Sequence, residues 1–168
     1  EHPLDLCNLK DGGRGDAAQI LVYDVNADGV PDILASAAHN YGIYWYQQTR
    51  HEGGESTWER HLIDDTWSQS HSLALADMDG DGDMDLVSGK RFMAHNGGDP
   101  GEMDPPGVYW YALDRKADPV WTKHIVTFGE GIGATSSLAV EDFDGDGDED
   151  IIVTGKWGGP AWFENRLK

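Results

Sequence analysis

The chain lacks most of the features that fix a fold or announce a chemistry. Among its 168 residues there is one cysteine, Cys7, so no intrachain disulfide can form. The missing disulfide usually argues against an extracellular setting, although a bound metal can act as the staple instead. Basic residues are scarce: 12 Lys and Arg stand against 31 Asp and Glu, for a formal net charge of −19. A surface of that sign repels nucleic-acid phosphate and excludes nucleic acid as a partner. No apolar run is long enough to span a bilayer, and no stretch carries helical periodicity. There is no Gly-x-Ser-x-Gly elbow, no cysteine pair for zinc and no phosphate-binding loop. No signal peptide is visible, and the opening Glu1-His2-Pro3 suits a processed or trimmed chain. The length suffices for one domain with a real core.

What the chain has is aspartate in register. Asp77, Asp79, Asp81, Asp83 and Asp85 alternate with Met78, Gly80, Gly82 and Met84. Asp142, Asp144, Asp146, Asp148 and Asp150 repeat the pattern, and Asp24, Asn26, Asp28, Val30 and Asp32 give a weaker copy. Side chains at positions one, three, five and nine, with a backbone carbonyl at seven (Val30, Asp83, Asp148), supply the oxygen donors that Ca²⁺ prefers. Three Ca²⁺ sites are therefore expected. Their six positive charges would leave the chain at −13, and without them the crowded carboxylates would repel one another. These are not EF-hands. Position twelve, which should be a bidentate Glu, is Ala35, Ser88 and Val153, and short apolar runs flank each loop. Rigid aspartate loops of this kind suit places where Ca²⁺ is abundant, at the cell surface or outside the cell.

The first aspartates of the loops lie 53 and 65 residues apart, the longer interval holding a Gly-, Pro- and Asp-rich insertion from Phe92 to Gly107. Such a period implies stacked modules. Each module reads as up to four strands. The first strands fall at 20–23, 73–76 and 138–141, and the second at 32–35, 85–88 and 150–154. The third fall at 42–46, 107–111 and 160–163, and the fourth at 58–63 and 121–126. Small residues (Ala74, Ala76, Ala139) in the first strands suit a crowded axis, and Trp and Tyr in the later strands suit a wider rim. The expected fold is all-β, built of four-stranded antiparallel propeller blades. Residues 1–15 form an N-terminal strand or arm, 16–64 a first blade, 65–127 a second and 128–168 an incomplete third.

With Leu-x-x-x-Asp before the second and third loops and Asp followed by two apolar residues after all three, the chain resembles the FG-GAP/VCBS repeat of integrin-α-type calcium-binding β-propellers, from about Asp16 to Asn165. The run Gly89-Lys90-Arg91-Phe92-Met93-Ala94-His95-Asn96, with Tyr-Trp-Tyr downstream, is also similar to propellers of the aldos-2-ulose dehydratase kind. The first resemblance implies a calcium-stabilised module for adhesion, binding or self-assembly. The second implies a carbohydrate-active lyase or dehydratase. A blade-repeat lectin is a third possibility. Closed propellers need roughly four to eight blades. Three should therefore associate head to tail into a homo-oligomeric ring or a filament, with the alternating stretch 3–9 covering the third blade of its own chain or a neighbour's. Cell-surface protein or carbohydrate are the other expected partners.

Antiparallel strands put the acidic loops on one side of the sheets and gather His39, His71, Lys90, Arg91, His95, Asn96, Lys156 and Trp157 on the other. His71, Lys90 and His95 are the candidate catalytic residues, the histidines as bases or transition-metal ligands. Lys90, Arg91 and Lys156 would neutralise an acidic ligand, and Trp157 or Trp67 would stack on a sugar. The residues favour a bland alternative, strand capping and packing, because Lys90 and Lys156 follow equivalent glycines and repeats copy scaffolding. His61 and His124, in equivalent fourth strands, are expected to pack at the rim. A tight cluster of histidines would support catalysis, and scattered ones would reject it.

Overall fold

The computed structural model describes residues 17–116, 118–134 and 137–167. Among them there is no helix, and none is long and apolar enough to cross a membrane. Eleven strands form three antiparallel sheets. Sheet 1 is the meander β1 (Ile20–Tyr23), β2 (Asp32–Ser36), β3 (Tyr41–Arg50) and β4 (Ser56–Ser68). Sheet 2 repeats it with β5 (Ser70–Ala76), β6 (Asp85–Lys90), β7 (Gly107–Asp114) and β8 (Val120–Phe128). Sheet 3 holds β9 (Ser137–Glu141), β10 (Asp150–Thr154) and β11 (Ala161–Phe163). The expected N-terminal strand at 3–9 lies outside the described residues. The first strands of the sheets are neighbours, β1 beside β5 and β5 beside β9.

Strand alternation gives each sheet two faces, and the pairing register shows what each face carries. In sheet 1, Leu21, Leu34, Trp45 and His61 form one cross-strand row. This face joins Val25, Ile43 and the sheet 2 residues Leu73, Leu86, Tyr109 and Tyr111 in one core. The opposite face of sheet 2 carries the row Ala74, Val87, Trp110 and His124, and it packs on Ile151, Val153 and Phe163 of sheet 3. Both interfaces therefore set a Trp-bearing face of one sheet against the other face of the next. His61 stacks on Trp45 at 4.3 Å and His124 on Trp110 at 4.1 Å, so both histidines pack against tryptophan in equivalent fourth strands.

β4 runs past its core strand to Ser68, and this extension builds a buried polar junction. Asp64 accepts hydrogen bonds from the Tyr111 hydroxyl (2.7 Å), Trp67 Nε1 (3.0 Å) and the Thr66 amide (2.8 Å), and Lys123 Nζ lies 2.7 Å away. Burial pushes the Asp64 carboxyl up, but these donors outweigh it and hold the group below its ordinary value. Trp67 is buried in this junction and cannot stack on a sugar as the sequence suggested.

Candidate functional site

The three acidic loops share one hydrogen-bonded frame. The amide at position six bonds the first aspartate each time: Gly29 to Asp24 (2.9 Å), Gly82 to Asp77 (3.0 Å) and Gly147 to Asp142 (3.1 Å). The amide at position five bonds the side chain at three: Asp28 to Asn26, Asp81 to Asp79, and Asp146 to Asp144. The amide at seven bonds the carboxylate at five: Val30 to Asp28, Asp83 to Asp81, and Asp148 to Asp146. Folding each loop in this way needs left-handed backbone at positions four and six. Gly80, Gly82, Gly145 and Gly147 supply it, and in the first loop Gly29 does so together with Ala27 at φ 58°.

The aspartate at position nine has a second task that its place in the motif does not reveal. Asp32, Asp85 and Asp150 are fully buried. One oxygen of each accepts the amide at position two, from Val25, Met78 and Phe143. The other accepts an amide just past the third strand's core, from Gln48 (2.8 Å), Leu113 (2.9 Å) and Asn165 (2.8 Å). The residue thus pins its loop to the third strand. Burial raises the Asp85 carboxyl to about 6.

Oxygen donors converge in two loops: Asp77, Asp79 and Asp85 in one, Asp142, Asp144 and Asp146 in the other, each set within 4.8 Å of one another. Asp77 Oδ1 is buried and accepts no hydrogen bond. An orphaned anionic oxygen in an all-oxygen donor set is the chemistry that a hard divalent cation satisfies. In the first loop the Asn26 amide instead donates to Asp28 Oδ2 at 3.0 Å. The loops are also tied to each other by residues the sequence reading passed over. Arg115 donates to the Asp24 and Val25 carbonyls and to Asp83 Oδ1, and its guanidinium lies over the Tyr23 ring. Asn165 Nδ2 donates to the Met78 carbonyl of the second loop.

On the other side of the sheets, the structure separates the candidates into two groups. Lys90 is buried, and its ammonium is held by the Ser68 carbonyl, Ser68 Oγ and the Gly101 carbonyl. Burial lowers its pKa to about 8, yet all its donors have partners. Lys156 likewise donates to the Met93 and Ala94 carbonyls, so both lysines serve the backbone. Trp157 is exposed, with its Nε1 on the Phe92 carbonyl, beside a cleft of about 480 Å³ that Lys90, Phe92, Met103 and Lys156 also line.

The histidines, by contrast, come together. His39 lies in the turn between β2 and β3, His71 on β5, and His95 in the insertion between β6 and β7. His39 and His95 stack at 4.6 Å, and His71 meets His39 edge-on at 5.0 Å. The tripeptide Ala-His-Asn occurs at 38–40 and again at 94–96, and the two copies bring their histidines together here. Buried Glu102 organises the insertion by accepting the amides of His95, Gly97 and Asp99. Asp99 Oδ2 in turn lies 2.9 Å from His39 Nδ1 and 2.7 Å from His95 Nδ1. Burial holds His71 down at about 4, with the nearby Arg91 charge adding to the effect. Residue spacing alone could not show this cluster, because its members come from three separated segments.

Residues 12–88 match the FG-GAP-like repeat family, and residues 134–162 match the FG-GAP repeat. No curated protein matches the chain. With two separate matches laid over sheets that repeat one register and one loop frame, the chain belongs to the FG-GAP repeat family.

Proposed function

We propose that this chain is a calcium-stabilised β-propeller repeat module, extracellular or at the cell surface, that works by binding and self-assembly rather than by catalysis. One observation carries the reading. Each internal interface pairs a Trp-bearing face with the opposite face of the next sheet, and among the described residues one face of each kind has no partner sheet. On sheet 1 the rows without a partner sheet are Ile20, Ala35, Tyr44, Leu62 and Val22, Ile33, Tyr46, Arg60, in which Ile20, Val22 and Leu62 are exposed while Ala35 and Tyr46 are buried. Their equivalents on sheet 2, around Leu73, Leu86, Tyr109 and Tyr111, are covered by sheet 1. On sheet 3 the open row is Ala139, Ile152 and Trp162, equivalent to the covered Ala74, Val87 and Trp110. Ile20 is 51%, Val22 64% and Trp162 45% exposed. The open faces are thus complementary by the chain's own repeat, and a second copy placed head to tail would bury both. Two copies would give six sheets in a ring, and a rotation that fails to close would give a filament.

Calcium is the second part of the proposal. Asp24, Asn26, Asp28, Asp32 and the Val30 carbonyl would hold one ion. Asp77, Asp79, Asp81, Asp85 and the Asp83 carbonyl would hold another. Asp142, Asp144, Asp146, Asp150 and the Asp148 carbonyl would hold the third. The ion neutralises carboxylates that the loop frame has already brought together, and so fixes the edges of adjacent sheets. Light scattering in Ca²⁺ tests the assembly. The expected result is a species at a multiple of the 18.4 kDa chain mass that dissociates in EGTA, and a stable species at 18.4 kDa in Ca²⁺ overturns it.

A second reading, a carbohydrate-active dehydratase, is favoured by the gathering of His39, His71 and His95, which a purely structural role did not lead us to expect. Loss of water from a keto-sugar, followed by enone absorbance, tests it. No product in Ca²⁺-loaded protein rejects it.

A further inference from the structure

The histidine cluster supports a more specific inference than either reading. We propose that His39, His95 and Asp99 form a binding site for a borderline-soft divalent cation such as Zn²⁺, distinct from the three acidic loops. The donor atoms are already assembled. His39 Nδ1 and His95 Nδ1 both point at Asp99 Oδ2, at 2.9 and 2.7 Å, and one ligand atom from each residue lies within 4.8 Å of the others. Zinc bonds nitrogen and oxygen at about 2.0–2.2 Å, so tetrahedral ligation asks these atoms to spread by only about 0.6 Å. The donor types discriminate. Two imidazoles and one carboxylate suit zinc and its neighbours, whereas Ca²⁺ wants six or more oxygens.

Three further observations bear on the site. His71 Nε2 is buried and makes no hydrogen bond, which leaves a polar atom at the cluster for a metal-bound water to satisfy. The carboxylate ligand is braced from outside, since Gln69 Nε2 also reaches Asp99 and Glu102 fixes the loop that carries His95 and Asp99. His39 Nδ1 sits between a fixed acceptor, Asp99, and a fixed donor, Arg91 Nη2 at 3.3 Å. A cation on the Nδ1 lone pair would displace Arg91 Nη2, which keeps its bond to Gln69 Oε1 at 3.0 Å. The Arg91 charge lowers affinity for a dication, so the site exchanges its metal rather than locking it in. The proposal is independent of the calcium reading and of any catalysis.

The test is titration of the full chain with Co²⁺ in excess Ca²⁺, which keeps the acidic loops occupied. The expected result is one equivalent of Co²⁺ with visible d–d bands, displaced by Zn²⁺. His95→Gln and Asp99→Asn should each weaken binding by at least the roughly 10–100-fold that loss of an outer-shell partner costs. His51→Ala, in the exposed turn between β3 and β4, should leave it unchanged. Imidazole ¹⁵N shifts in the wild-type chain give a readout that needs no variant: Zn²⁺ should move the Nδ1 resonances of His39 and His95 and spare those of His61 and His124. Absence of stoichiometric uptake, uptake indifferent to both variants, or unmoved His39 and His95 resonances would each overturn the site.

Discussion

Ala27 stands where the other acidic loops carry Gly80 and Gly145, and it adopts the same left-handed backbone, at φ 58°. A side chain there costs about 1 kcal/mol. Ala27→Gly should therefore stabilise the protein by up to roughly 0.5 kcal/mol, once the extra freedom of glycine in the unfolded chain is counted. Urea unfolding would measure it, and a destabilised variant would refute the argument. Asp64 is the opposite case, a side chain whose partners depend on it. Asp64→Ala leaves the buried Tyr111 hydroxyl without its acceptor and Trp67 Nε1 with only the Tyr111 oxygen, at a cost of about 1–3 kcal/mol. Because the folded pKa lies below the ordinary 3.8, the contribution of Asp64 is present above that pH and fades as pH falls through the lowered value. The stability gap between wild type and Asp64→Asn should then narrow below about pH 4, and a gap that widened there would show the sign to be wrong.

At the scale of the element, the loop acts as a unit whose members differ in weight. Asp79→Ala removes a carboxylate from a converged set and should cost several kcal/mol in Ca²⁺. Asn26→Ala should cost less, because an amide is the weaker ligand and this one is already bonded to Asp28. Paired thermal melts decide, and equal shifts would mean that the first loop is as strong a site as the second. The position-nine aspartates should behave differently from both. Asp85→Ala severs the loop from β7 as well as removing a ligand, so its cost should persist in EGTA, where that of Asp79→Ala should vanish.

For the whole molecule, the decisive variable is what covers the outer faces of sheets 1 and 3. A charge placed on either should act on association and not on folding. Val22→Lys, on a side chain 64% exposed in the single chain, should leave the unfolding free energy of the isolated chain within about 0.5 kcal/mol of wild type and abolish any higher-mass species. A variant that still assembles would show that the open face is not the contact. EGTA should lower the melting temperature sharply, because the loops that join the sheets' edges then hold unneutralised charge.

Alternation of apolar residues and the thrice-repeated loop were enough to place every described strand, since both signals are local: period two fixes a strand, and Asp-Gly alternation fixes a turn. The convergence of the acidic side chains was legible for the same reason, each set lying within nine consecutive residues. What the sequence could not decide was anything joining distant segments. The pinning of the loops by Asp32, Asp85 and Asp150 depends on how the third strand pairs in each sheet, and the Arg115 bridge and the burial of Trp67 against Tyr111 depend on how one sheet seats on the next. The meeting of His39 with His95 depends on the insertion folding over Glu102, a long-range contact with no periodicity to announce it.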